Sequence, residues 1–201
     1  MLSKELLAQH AAARRYFFHV DLHGRLFSAD TIVRNLATCV KGERPLDFFF
    51  AQLRPNTTGL FEREYPFVSP CGKELSYVAA EDTPIVFSEL FLGASDAAAQ
   101  LAYAGSARQP FEPARLLLSA SSGRLYHPLA THARLAGLPG ATSQYMLLRS
   151  HLVSELQRCM VPSVDAAESS SAPPLEVGAG ATPSGVDFEW EDRRYPIWSA
   201  R

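Results

Sequence analysis

A thiol, two adjacent carboxylates, a histidine and a set of arginines are the side chains of this 201-residue chain whose types could do chemistry. Cys71 stands in a Pro-Cys-Gly turn with Lys73 close behind. A reactive cysteine needs an electropositive, partly exposed setting that favours thiolate. His19, His23 or His127 would have to reach it in space. No nucleophile motif surrounds it, so Cys71 reads first as a turn residue, with Gly72 taking the bend. Glu81 and Asp82 are neighbours, and in a strand they point to opposite faces. Two carboxylates that work across a cleft must aim at one point. Asp82 therefore reads as a cap on the turn before Pro84, with a salt bridge to Arg54 or Arg115 as an option.

His127 ends an apolar stretch, where a histidine serves as a general base or as a hydrogen-bonded structural group. Arg54, Glu112, Arg115, Arg124 and Arg149 are the binding candidates. Glu112 and Arg115 pair with each other or turn into a pocket with Arg124. Arg54 ends a helix, where a cation suits the dipole. Four converging arginines would make an anion pocket; apart, they are surface or ion-pair residues. No ligands recur at zinc spacing, so no metal is expected. No Gly-rich phosphate loop follows a strand, and Ser69, Ser119 and Ser122 lack a Gly-x-Ser-x-Gly setting, so no cofactor is implied.

The elements that must position these groups alternate in period. Residues 16–21 and 25–27 read as a hairpin around Gly24. Asp30 opens a helical pattern through Ile32, Val33, Leu36, Ala37 and Val40, ending at Gly42. Pro45 opens a second helix with Leu46, Phe49, Phe50 and Leu53 as its buried stripe. After a turn at Gly59, residues 60–68, 74–80 and 85–92 read as strands, and the turns between them hold Gly72 and Pro84. A short strand is expected at 100–104. Residues 112–119 and 124–127 form another hairpin across Gly123, and Tyr145–Met160 is a third helix.

Composition bounds the rest. The chain is 47% hydrophobic and 20% charged with a net charge of −2, which is globular and lacks the basic excess of a dedicated nucleic-acid binder. The short basic pairs Arg14-Arg15 and Arg193-Arg194 leave only a local patch open. Three widely spaced cysteines argue for a reducing compartment. No apolar run is long enough to cross a bilayer.

Four stretches follow. Residues 1–15 form an N-terminal helical segment, or a faint amphipathic presequence. Residues 16–160 form one α+β domain. Residues 161–185, rich in Ser, Pro and Gly, read as a flexible insertion. Residues 186–201 form a hairpin that packs back, because two tryptophans are seldom left on a free tail. The fold class is α+β, with strand-rich antiparallel sheets, two or three helices, and two halves that share a rough order without a fixed-period repeat.

Several motifs carry a resemblance. LRPN (53–56), PFVSPCG (66–72), ED-P-VF (81–87), PFEPARLL (110–117) and GRLYHP (123–128) occur in an order that resembles uncharacterised protein family 0598. Those eukaryotic proteins are assigned mainly to mitochondria. A more distant similarity is to the bacterial domain of unknown function 1285. It is carried by residues 21–27, Leu53-Arg54, 59–61, 81–84 and the helix with Arg149, Leu152, Glu155 and Leu156. The resemblance implies a compact α+β fold and a mitochondrial location, with the cytoplasm as the alternative, and implies no activity. The reading leans away from an enzyme and toward a binding or assembly factor acting through protein contacts. The alternative is an enzyme or small-anion-binding protein with a pocket near Cys71, Asp82 and His127.

Overall fold

The computed structural model describes residues 4–93, 98–129, 144–163 and 181–200. Helix α1 (Lys4–Ala12) leads into the hairpin β1 (Arg15–Val20) and β2 (Leu26–Ser28). Helix α2 (Glu43–Ala51), the short strand β3 (Arg54–Pro55) and the hairpin β4 (Phe67–Cys71) and β5 (Glu74–Ala80) follow. β5 returns parallel to β1, so the first sheet runs β2-β1-β5-β4-β3.

The chain then crosses over through β6 (Val86–Phe87) into a small antiparallel sheet of β7 (Glu89–Phe91), β8 (Gln100–Tyr103) and β9 (Ala107–Pro110). The second half holds β10 (Leu117–Ser119), β11 (Leu125–Pro128), β12 (Tyr145–Leu148) and helix α3 (Ser150–Leu156). It closes with β13 (Met160–Pro162), β14 (Thr182–Trp190) and β15 (Arg193–Ala200). Its sheet runs β13-β14-β15-β10-β11-β12-β6. Mostly antiparallel sheets with three short helices are the α+β class the sequence implies.

The two halves repeat each other in strand order and in the register of several pairs. Within the larger sheet the order β11-β10-β15-β14-β13 copies β2-β1-β5-β4-β3, with the same parallel pair at its centre. Both long hairpins turn on two residues, Cys71 pairing with Glu74 and Trp190 with Arg193. Val20 lies beside Ala80 and Leu118 beside Ser199. The count from Cys71 to Ala80 equals that from Trp190 to Ser199. Pro55 faces Phe67 as Pro162 faces Val186. The next backbone bond repeats as well: Asn56 N–H donates to Pro66 O at 2.8 Å, and Ser163 N–H to Gly185 O at 3.0 Å. Even letters survive, as Gly24-Arg25-Leu26-Phe27 and Gly123-Arg124-Leu125-Tyr126, with both glycines at positive φ. Spacings between matched elements differ, which is why no fixed period shows in the sequence.

Strand alternation sends Phe18, Val20 and Val78 to a core shared by both halves, where Leu26, Leu53 and Phe67 meet Leu116, Leu125, Met146, Leu152, Phe188 and Ile197. The other face of the first sheet carries Phe17, Val68 and Tyr77, and that of the second carries Leu117, Tyr145 and Trp198.

Five expectations need correction. Residues 30–40 form turns, not a helix. Asn35 Oδ1 accepts the N–H of Ala37 and Thr38, and Thr38 Oγ1 donates to Val33 O at 2.7 Å, so side chains take the backbone groups a helix would use. Gly42 accordingly precedes α2 rather than ending a helix.

The strand expected at 60–68 begins only at Phe67, because the buried Asn56 amide holds Leu60 O and Tyr65 O, each at 2.8 Å, and shapes a loop. The helix expected from Tyr145 starts at Ser150. Four consecutive buried residues, Tyr145–Leu148, are a strand flanked on both edges. Residues 113–115 form one 3₁₀ turn, since Pro113 has no N–H to give a ladder. The stretch 161–185 includes the end of β13 and the start of β14, where Thr182 and Pro183 pair with Ser199 and Trp198; residues 164–180 lie outside the described residues.

Candidate functional site

Asp82 leaves the end of β5 and reaches the second half. Arg124 Nη1 donates to its Oδ2, and Tyr126 Oη donates to Oδ2 at 3.0 Å. The tip glycine Gly123 and the alternation of β11 aim Arg124 and Tyr126 at the same carboxylate. Burial first, and then the Asp82 charge, hold the Tyr126 hydroxyl above its ordinary pKa, so it remains a donor. Thr83 completes the crossing: its Oγ1 donates to Ile85 O at 2.6 Å and accepts Leu147 N–H at 3.0 Å. The partner expected for Asp82 was Arg54 or Arg115; the observed one is Arg124.

His127 is fully buried, its ring against Phe87 and Phe111 with centroids 5.8 and 5.6 Å away. Glu112 N–H donates to Nε2 at 3.0 Å, which places the ring proton on Nδ1, where it donates to Pro128 O at 2.8 Å. Gln109 Nε2 donates to the same carbonyl at 2.8 Å. Burial, with a smaller contribution from the Arg115 charge, pushes the imidazole down to about 4. A neutral ring with both nitrogens engaged and no exposure joins β11 to the Glu112 turn; it has no path to a substrate proton.

The remaining candidates do not converge. Cys71 is exposed at the β4–β5 turn. Asp82 follows the other end of β5, and at about 3.3 Å per residue the two stand roughly 20 Å apart. The expected grouping of Cys71 and Asp82 in one pocket therefore does not form. Glu112 pairs with Arg115 at 3.1 Å across one turn. Arg54 is exposed on β3, an edge strand of the first sheet. Arg149 precedes α3, its N–H donating to Phe87 O at 2.9 Å. Clefts of about 280, 480 and 540 Å³ are lined by none of these residues. Among the described residues no three or more His, Cys, Asp or Glu side chains gather as a metal set, and no helix is long and apolar enough to cross a membrane.

Sequence reasoning missed two carboxylates. Asp21 Oδ1 accepts the N–H groups of His23 and Arg25, each at 2.9 Å, and its Oδ2 pairs with the Arg25 guanidinium at 2.6 Å. Burial alone would raise its pKa; the Arg25 side chain and the two N–H groups outweigh that and hold it low. Asp47 of α2 grips the β8–β9 turn, accepting the N–H groups of Gly105, Ser106 and Ala107 and the Ser106 hydroxyl. A helical Asp far in sequence from a Gly-Ser turn gives no sequence signal of that contact. A Cβ on Gly105 would fall 2.3 Å from Glu43 O, which explains the glycine.

Three of the five motifs, at 81–87, 110–117 and 123–128, supply these contacts. A family profile described as a domain of unknown function, DUF4505, matches residues 8–196. The chain belongs to DUF4505. Two solved structures are similar to it. One is a DUF1285 family protein from Shewanella baltica OS155, at 12% identity and TM-score 0.43, covering 71% of this chain and 91% of that chain. The other is a DUF1285 family protein from Silicibacter pomeroyi DSS-3, at 10% identity and TM-score 0.46, covering 91% of this chain and 80% of that chain. Within this DUF4505 chain, ED-P-VF supplies Asp82 and Thr83, GRLYHP supplies Arg124, Tyr126 and His127, and PFEPARLL supplies the Glu112 N–H.

Proposed function

We propose that this protein is a non-enzymatic binding or assembly factor that works through protein contacts in the mitochondrion. One observation carries the contact reading. The loop between β2 and α2 exposes Ile32, Val33 and Leu36 at 80%, 63% and 70%, three large apolar side chains within five residues of sequence. Scattered apolar residues are ordinary on a surface, but a contiguous group marks an interaction site. The scatter and pairing of the titratable candidates support the non-enzymatic part. The mitochondrial part is supported by the motifs shared with uncharacterised protein family 0598.

The test is purification of the tagged protein from mitochondria beside the double variant Ile32→Asp, Leu36→Asp. The proposal expects a reproducible partner with the unmodified chain and its loss with the variant, whose melting temperature stays unchanged. No partner above background, a partner indifferent to the substitutions, or recovery of the protein only from cytoplasm would overturn it.

A further inference from the structure

The duplicated halves differ in what lies beside the helix that follows each first hairpin. In the second half the segment 82–87 lies along β11, β12 and the start of α3. Arg124 and Tyr126 bond Asp82, Leu147 N–H donates to Thr83, and β6 pairs in parallel with Leu147 and Leu148. Arg149, the residue before α3, donates its N–H to Phe87 O at 2.9 Å. Its counterpart before α2 is Gly42. Among the described residues no carbonyl receives the Gly42 N–H. A cleft of about 280 Å³ opens there instead. Arg25, Val40, Lys41 and Gly42 on its wall are the counterparts of Arg124, Leu147, Leu148 and Arg149, the residues that hold the 82–87 segment. Arg25 is held by Asp21 and the Val40 N–H by Leu26 O, so Lys41 and the Gly42 N–H are the polar groups left to a ligand, with Val86, Ser88, Ala104 and Gly105 on the facing wall. Lys41 is exposed and pairs with no carboxylate among the described residues.

We infer that this cleft takes an extended segment of a partner polypeptide, seated as the chain's own 82–87 segment is seated on the second half. The inference rests on the protein-contact reading above. The seat offers the Gly42 N–H to a backbone carbonyl, the Lys41 ammonium to an acidic side chain, and the half-buried Leu46 side chain to an apolar one. Such strand addition draws affinity from main-chain bonds and selectivity from alternate side chains. The partner motif is therefore an acidic residue followed by apolar residues in an extended run, as in the chain's own Glu81–Ser88.

The probe is an end-capped synthetic peptide, EDTPIVFS, copied from residues 81–88. Cys39 lines the cleft, whereas Cys71 is exposed on the β4–β5 turn, so the chain carries its own reference thiol. Alkylation by N-ethylmaleimide is followed at each cysteine by mass spectrometry on the full-length protein. At about 1 mM peptide, a Kd of a few hundred micromolar slows Cys39 roughly threefold and leaves Cys71 unchanged. A scrambled peptide has no effect, and Lys41→Glu weakens the protection. An unchanged Cys39 rate, equal slowing at Cys71, or equal protection by the scrambled peptide overturns the inference. Slowing of Cys39 with protein concentration alone assigns the cleft to a second copy of the chain and overturns it too. Because this readout involves neither Ile32 nor Leu36, its failure is distinct from failure to recover a partner through that loop.

Discussion

Arg124 of the second half donates to Asp82, the residue on which the chain leaves the first half. Asp82 is mostly buried and also accepts the Tyr126 hydroxyl, so the carboxylate is the centre of the contact and the partly exposed guanidinium its outer member.

Replacing Asp82 should cost more than replacing Arg124. Asp82→Ala strands the Tyr126 hydroxyl and the Arg124 cation and costs about 2 kcal/mol. Arg124→Ala, with 39% of its side chain exposed, loses an ion pair screened by solvent and costs roughly 0.5–1 kcal/mol. Urea midpoints measure both. Equal, negligible shifts would show that the pair does not tie the halves.

Asp47→Ala removes the acceptor of four bonds from residues 105–107. Three freed backbone N–H groups can find water at this partly exposed turn, which limits the loss to about 1–2 kcal/mol. Amide exchange should quicken at Gly105–Ala107 more than in β5. An unchanged exchange pattern would contradict the grip of α2 on that turn.

His127 sets a pH dependence. Its folded pKa lies at about 4, below the ordinary 6.5, so the unfolded chain binds the proton more readily. The stability it contributes is complete above pH 6.5 and is lost as pH falls through that value to about 4. The full loss is on the order of 3 kcal/mol. Denaturant midpoints measured between pH 7 and 4 should fall, and His127→Gln should flatten the slope in that window. The same slope in the variant would assign it to other groups.

Gly72 and Cys71 separate turn from thiol. Gly72 has φ 58, and a Cβ there would meet nothing within 4 Å, so the cost of Gly72→Val is backbone strain alone. That strain is about 1–2 kcal/mol. Cys71→Ser, at an exposed position, should leave the melting temperature nearly unchanged. Equal melts for Gly72→Val and the unmodified protein would refute the positive-φ turn.

The sequence disclosed local geometry better than contacts between halves. The β1–β2 hairpin was legible because Gly24 sits between aromatic and β-branched runs, and β5 was legible from end to end. The 30–40 stretch misled because Ile32, Val33 and Leu36 have helical spacing, while the deciding groups are Asn35 and Thr38, whose side chains capture the backbone. Tyr145–Leu148 misled because a strand buried on both faces has no alternation to read. Asp82 was recognisable as a turn residue, but its partner depends on how the second half folds against the first. The repeat showed in letters only at Gly24–Phe27 and Gly123–Tyr126; elsewhere it is held in register, where Arg54 and Val161 or Ser76 and Tyr195 need share nothing but their place in the ladder.

The loop that carries Ile32 is the surface on which the proposed function stands. A photo-crosslinking benzoylphenylalanine placed at position 32, and separately at position 73 on the β4–β5 turn, interrogates that surface in intact mitochondria. A discrete crosslinked partner band is expected from position 32 and none from position 73. Equal crosslinking from both positions, or none from position 32, would contradict it.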